Sequence, residues 1–368
     1  MSIVIIGGNF AAIAAARNTF DQIIAAGKKD DYEVTVISAS EKVWCNTTAP
    51  RLLVEPEHFE KTVRPVKDFL KESSKGVKFN FIHATAEKSD FDAKTVTVKG
   101  SNGSQTVKYD YLVVATGTKS LSSAFKLNGS FEESHSSVKE LNKQIIASQR
   151  IAIVGGGPTG VETAGEIAYS YPKKEVVLYT GSSGPLDFMG TKKSNTASKM
   201  LTDLKVKVVN NKRSTSVVTA ENGKTTLTFG DEGSEVFDLY IPAISGKPNT
   251  SFIDSKYLDK GGYLDVDSHF RVKGHPEVIG FGDVLSIAKK TVVDIKFYQT
   301  KVFVATIKHD LFNKGSLVSY ATGSLTIGVP ISRNGGVGLI FGWSMPSFLV
   351  KVSKGKDFMI PKAIDAYK

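Results

Sequence analysis

Cysteine is almost missing: Cys45 stands alone among 368 residues. An intramolecular disulfide is therefore impossible, and without a Cys-x-x-Cys pair a dithiol redox centre is excluded. The six histidines, His58, His83, His135, His269, His275 and His309, are scattered. None has the short His-x3-His type of spacing that holds a metal, so no metal is expected. A serine-hydrolase elbow is also lacking. Long apolar runs are few. The longest, 337–350, is too short to cross a bilayer and contains Gly338, Gly342 and Pro346. The chain starts Met1-Ser2 and enters an apolar stretch at Ile3. That start argues against a cleaved leader and against myristoylation of a second-position glycine, so the protein is expected not to be secreted.

Acidic residues are the scarcer charge, 37 against 47 Lys and Arg, giving a net charge of +10. The lysines are spread along the chain and no nucleic-acid-binding motif accompanies them. The excess therefore reads as a solvated basic surface, suited also to phosphate-rich ligands or an anionic membrane, with no nucleic acid partner expected. At 41% hydrophobic and 23% charged residues, the composition is that of an ordinary globular protein with room for two or three domains.

What the chain does have is glycine in a particular place, twice. Ile3–Ile6 runs into Gly7-Gly8-Asn9-Phe10-Ala11-Ala12, and Ile151–Val154 runs into Gly155-Gly156-Gly157-Pro158-Thr159-Gly160. Each apolar strand is followed by a helix (about 10–26 and 158–171) and a second strand (33–37 and 175–179). Right-handed crossover rules make both units parts of parallel sheets. The likeness extends further. The run 108–117, ending Ala115-Thr116-Gly117, is echoed by 237–246, ending at Gly246, and each is preceded by a hairpin turning near 101–103 or 230–233. We read an internal duplication, with copies of about 120 residues. One more buried strand follows, in the run 277–283 that ends Gly282-Asp283.

A strand, a glycine turn and a helix N-terminus together present free N–H groups to an anion. The first glycine permits the turn, the second lets a pyrophosphate approach, and the third allows the helix to close on the strand. Gly155, Gly157 and Gly160 meet all three needs. The first turn has Gly7, then Asn9 in place of the second glycine, then Ala12. Asn9 tolerates unusual backbone angles, but its side chain is expected to crowd the phosphate path. The acid that commonly ends the second strand and binds a ribose hydroxyl is missing from both units: Ser38 stands in the first, and Tyr179-Thr180-Gly181-Ser182-Ser183 in the second. Without it the second turn admits NADPH as well as NADH. No arginine stands nearby in the sequence to select for the 2′-phosphate, Lys192 and Lys193 are the candidate cations, and the preference stays open.

These motifs in this order, with the run Gly155 to Glu166, Pro248-Asn249 and Gly282-Asp283, resemble the two-dinucleotide-binding-domain flavoproteins, the pyridine-nucleotide-disulfide-reductase-like superfamily. The likeness is greatest to the apoptosis-inducing-factor-like and ferroptosis-suppressor-like oxidoreductases of fungi. The resemblance implies an α/β fold with two Rossmann-like domains, the second inserted in the first, and a small C-terminal α+β segment. The expected division is 1–120 and 249–322 for FAD, 121–248 for NAD(P)H, and 323–368 for an interface or membrane-surface segment.

The resemblance also implies roles. Gly7, Gly8 and Ala12, with Asn9, Phe10, Ala11 and Ser38, would line FAD, together with Ala115, Thr116, Gly117 and Gly282. Asp283 would bond the ribityl chain, and Asn46 and Arg51 match an Asn-x4-Arg pattern near the flavin. Gly155, Gly157, Pro158, Thr159, Gly160 and Gly246 would serve the nicotinamide dinucleotide. Glu162 would lie where nicotinamide meets flavin. Lys290 and Lys296 occupy the region where relatives place a lysine near the flavin, and Lys296 and Gln299 at i,i+3 should share a helix face. Cys45 lies in the loop where some relatives keep a redox cysteine. It lacks the Ser-Phe-Leu-x-Cys context and is read as a packing or flavin-pocket thiol.

The function implied is hydride transfer from NAD(P)H to flavin and on to a quinone-like small acceptor. Two rivals stay open: reduction of a protein acceptor, and a redox-sensing or cell-death scaffold with incidental turnover. The tail Phe341–Lys356 mixes apolar bulk with lysines. It would either lie on a membrane surface or cover the flavin domain or a homodimer face. The expected location is cytoplasmic, or peripheral on an intracellular membrane such as a lipid droplet or the mitochondrial surface.

Overall fold

The structure, a computed structural model, describes residues 1–367; Lys368, the last residue of the expected 323–368 segment, lies outside them. Its largest sheet has eight strands in the order 271–272, 275–280, 111–114, 2–6, 33–38, 78–90, 95–100 and 103–108. The five strands in the middle run parallel where they pair, and antiparallel strands flank them at both edges. A second, wholly parallel sheet has the order 207–209, 175–179, 150–154 and 239–242.

The registers repeat the sequence duplication. Ile3 sits between Val34 and Tyr111, and Ile151 sits between Val176 and Leu239. Each central strand is buried on both faces and reads as an unbroken apolar run, as a parallel strand covered by helices should. The helix Phe10–Ala25 lays five buried alanines, Ala11, Ala12, Ala14, Ala15 and Ala16, against the first sheet. The helix Pro158–Ser170 starts on a proline, whose missing N–H is no loss in the first turn.

Strand Lys78–Asp90 is less legible in the sequence. Its first half pairs parallel with 33–38 and its second half antiparallel with 95–100. Most of its residues are exposed or half-buried, so it carries little apolar periodicity. A short antiparallel ribbon, Thr118–Ser120 with Ser245–Pro248, joins the two sheet regions. The C-terminal region adds an antiparallel sheet, 327–330, 336–340 and 343–345, followed by short helical turns. One hydrophobic cluster holds Trp44, Leu52, Phe59, Ile151, Val161, Val329, Ile331 and Phe358 together. The N-terminal loop, the second unit and the tail therefore share a core.

Candidate active site

The first glycine turn is built around a close backbone approach. Gly7 has φ +130°, and a Cβ there would lie 2.4 Å from the Ala115 carbonyl oxygen. Gly7 and Ala115 are thus in contact, which leaves room only for small residues at both positions. Ala12 fills the third-glycine position, and its own Cβ lies only 3.2 Å from where a Gly7 side chain would begin. Gly282 completes the cradle: a side chain there would strike the Ala11 Cβ at 2.5 Å. Its N–H donates to Gln299 Oε1 at 2.8 Å, and Gln299 Nε2 donates to Asp294.

The second turn repeats this geometry. Gly155 has φ +134°, and a Cβ there would meet the Ala243 carbonyl oxygen at 2.4 Å. Gly160 packs so tightly that a Cβ would sit 1.9 Å from the Gly155 carbonyl oxygen, whereas Gly157 has nothing within 4 Å and leaves a ligand path open. Pro158 and Thr159 form the first helical residues after it.

Several expected roles change on this scaffold. Asn9 does not obstruct the turn. Its Nδ2 donates to the Trp44 carbonyl at 3.1 Å, and its Oδ1 accepts from the Trp44 N–H at 3.2 Å. The buried Tyr367 hydroxyl lies 2.6 Å from that Oδ1 and 2.8 Å from the Trp44 carbonyl oxygen. Ser38 is likewise spent locally: its Oγ donates to the Ser40 carbonyl at 2.6 Å and fills the space over Gly8, where a Cβ would meet it at 2.0 Å. Thr180 does the same over Gly156 in the second unit. Gly246 sits in the connecting ribbon, where a side chain would hit the Lys119 carbonyl oxygen at 2.8 Å.

Arg51 is buried and fully engaged. It makes a two-pronged pair with Glu166 (2.5 and 3.1 Å) and donates to the Gly355 and Lys356 carbonyls at 3.0 and 3.3 Å. Its work is to tie the second helix to the tail. Asn46 Nδ2 donates to the Phe125 carbonyl at 3.0 Å. Lys290 folds back onto the Leu285 carbonyl, its ammonium 4.3 Å from the Tyr263 ring. Lys296 and Gln299 do not share a face. A π-helical turn spans 295–299, and its wider coil leaves Lys296 exposed while Gln299 is buried.

Asp283 is only half engaged. One carboxylate oxygen faces Lys126 Nζ at 3.4 Å, and the other is buried with no partner. Asn249, whose N–H donates to the Gly117 carbonyl and whose Nδ2 donates to that of Thr116, also has an unpartnered buried Oδ1. Buried acceptors are almost always satisfied. The Gly7 cradle and these two orphaned oxygens fit a dinucleotide with hydroxyl and amide donors, such as FAD.

Glu162 is buried on the second helix and accepts from Lys354 Nζ at 2.6 Å. Burial pushes its carboxyl up to about 7, with Lys354 pulling down and Glu166 pushing up. Nothing in the sequence marks Lys354, because a lysine among aromatics in the tail reads as surface. Cys45 lies nearby: burial raises its thiol, opposed by the Thr47 hydroxyl and by the charges of Lys354 and Lys296. It stays a neutral thiol, consistent with a packing role. Beside the first turn a cavity of about 220 Å³ is lined by Phe10, Ala14, Arg17, Lys296, Phe297 and Tyr367, among others. Arg17, Lys126, Lys354 and Tyr367 had no motif to announce them.

Comparison with known proteins gives one consistent picture. Residues 1–302 match the family model described as pyridine nucleotide-disulphide oxidoreductase. The chain is 32% identical to oxidoreductase ptaL of Pestalotiopsis fici over 99% of this chain and 98% of that protein. It is 26% identical to the Homo sapiens ferroptosis suppressor protein 1, covering 98% and 94% of the two chains. Among solved structures, the sulfide:quinone oxidoreductase of Aquifex aeolicus superposes with a TM-score of 0.73 at 17% identity, over 99% of this chain and 92% of that one; this is a likeness of fold.

Proposed function

The chain belongs to the pyridine nucleotide-disulphide oxidoreductase family, and on that premise we propose that it uses FAD and NAD(P)H to reduce a quinone-like small acceptor. The observation that carries the acceptor is the cavity of about 220 Å³ next to the first glycine turn, walled by Phe10, Phe297 and Tyr367 and supplied with Arg17 and Lys296. Aromatic walls suit a planar ring, and cations suit its carbonyl oxygens as they gain negative charge. An open, charged docking face for a protein acceptor is not needed by this reading. The scaffold alternative is favoured by weak flavin binding, at which Asn9 and Ser38 hint; Asn9 is held by Trp44 and Tyr367 instead, and the Ser38 hydroxyl by the Ser40 carbonyl.

Bound FAD supplies the two-electron relay between nicotinamide and acceptor. The protein's own residues do the rest. Gly7 and Gly155 permit the two tight turns, and Gly157 leaves the second backbone open to a pyrophosphate. Asp283 Oδ1 and Asn249 Oδ1 are acceptors for donors on the flavin side. In the net reaction NAD(P)H, one proton and the quinone become NAD(P)⁺ and hydroquinone, so a proton must be supplied. Glu162, with a carboxyl near 7 and Lys354 Nζ at 2.6 Å, is the group able to hold that proton at neutral pH. Arg51 positions Lys354 through the neighbouring Gly355 and Lys356 carbonyls.

The tail adds a reading of location. Trp343 is 79% exposed, Val352 73%, Phe348 63% and Phe341 57%, with Lys351 and Lys356 exposed beside them. Among the described residues no helix is long and apolar enough to cross a membrane. Aromatic tips with lysines suit a peripheral contact with an anionic lipid surface, where a lipid-soluble quinone would be met.

The purified protein should be yellow, bleach when NADH or NADPH is added without oxygen, and regain colour on addition of a short-chain ubiquinone. A protein that bleaches but is not reoxidised by quinone would sink the acceptor reading. A colourless one that takes up no FAD would sink the whole.

A further inference from the structure

The edge of the second sheet where a nicotinamide dinucleotide's adenosine ribose would lie carries no acid. The loop after strand 175–179 is Thr180-Gly181-Ser182-Ser183-Gly184, and the loop after strand 207–209 is Asn210-Asn211-Lys212-Arg213. The two loops are laced together. Thr180 N–H donates to the Val209 carbonyl at 3.0 Å, and Asn211 N–H to the Ser182 carbonyl at 2.8 Å. Arg213 reaches back across the gap, its Nε donating to the Gly181 carbonyl at 2.8 Å. Gly181 has φ +66°, and a side chain there would press on the Arg213 Cγ at 3.3 Å. The glycine thus leaves room for the arginine.

Two other cations of this region, Lys212 and Lys193, are occupied. Lys212 covers the Phe229 ring at 4.4 Å and faces Glu232 and Glu235 at 3.9 and 4.0 Å. Lys193 donates to Ser344 Oγ at 2.6 Å in the C-terminal sheet. Arg213 is exposed and, among the described residues, has no carboxylate partner. Its terminal nitrogens make no hydrogen bond among the described residues. An acid at this strand end binds a ribose diol and repels a phosphate, whereas an arginine accommodates the phosphate. A guanidinium can grip phosphate oxygens with two parallel bonds.

We propose that Arg213 makes the second site select a 2′-phosphorylated dinucleotide, NADPH over NADH. This rests on the reading of the second glycine turn as the nicotinamide site and adds its specificity. Redox-inert fragments test it without turnover. Calorimetry on the holoprotein should find 2′,5′-ADP bound at least about tenfold more tightly than 5′-AMP. R213A should lower 2′,5′-ADP affinity by about 10- to 100-fold, the usual span for losing hydrogen bonds to a charged group, and leave 5′-AMP affinity unchanged. R213K should retain part of the preference, since it keeps the charge and loses the fork. Arg213 makes one backbone contact at the surface, so the variants should melt with the wild type. An unchanged ratio of the two fragments in R213A overturns the role of Arg213 while leaving the site intact. If neither fragment nor either dinucleotide binds the wild type, the reading of the second turn itself fails.

Discussion

Glu162 and Lys354 are 192 residues apart and meet at 2.6 Å, joining the second helix to the C-terminal segment. The pair is buried on the acid's side, so the carboxyl titrates near 7 rather than at its ordinary 4.5. A raised folded value means that the folded state holds the extra proton. The contribution to stability is full below about 4.5 and is lost as pH rises through about 7, amounting to ~3 kcal/mol at most. E162Q, neutral at every pH, should flatten that slope. Melting temperatures from pH 5 to 8 should fall less in E162Q than in wild type, and identical slopes would refute the assignment. K354M should move the pH midpoint of flavin reduction upwards, because Lys354 is what lowers the Glu162 carboxyl.

Arg51 and Glu166 form the second tie between the same parts. Removing one partner of a buried pair strands the other, at a cost of ~3–5 kcal/mol, whereas replacing both with apolar residues costs far less. R51M is expected to lower the urea midpoint sharply, and R51M with E166L to recover much of the loss. Equal destabilisation in single and double variants would mean that Arg51 acts mainly through the Gly355 and Lys356 carbonyls.

The first and second strands, both glycine turns and both helices that follow were legible because each obeys a local rule. A buried parallel strand is an unbroken apolar run, a left-handed turn demands glycine, and alanine favours helix. The side-chain partners were not. Asn9 and Ser38 stand where glycine and an acid are usual, and the sequence cannot say that Trp44, Tyr367 and Ser40 have already claimed them. Lys354 meets Glu162 only because the chain returns through the C-terminal sheet. The π turn at 295–299 broke the i,i+3 reasoning for Lys296 and Gln299, since that spacing is a property of the α-helix.

The Asn9 clamp sets a further expectation. N9G would restore the commoner glycine and yet should destabilise the protein. It strips the Trp44 N–H and carbonyl of one partner each and leaves the buried Tyr367 hydroxyl with the Trp44 carbonyl alone. A lost buried partner costs ~1–3 kcal/mol, and Y367F should cost a similar amount. Thermal unfolding of the two variants and their combination should show sub-additive losses, because they share one cluster. A stabilised N9G would mean that the residue serves the turn rather than the clamp.

The exposed apolar residues of the tail predict a dependence on lipid that charge alone does not give. Trp343 and Val352 are the most exposed of the set, so W343E and V352E should fold normally while placing an acid where the acyl boundary would be. Burying one large apolar side chain is worth ~1.5–3 kcal/mol; losing two should weaken vesicle binding by well over tenfold. Co-sedimentation with vesicles of neutral lipid alone, and of neutral lipid with phosphatidylserine, separates the contributions. The lysines should make binding stronger on the anionic vesicles and sensitive to salt, whereas the double variant should fail on both. Absence of wild-type binding to anionic vesicles at low salt would remove the membrane from the mechanism and leave the apolar strip for another surface to cover.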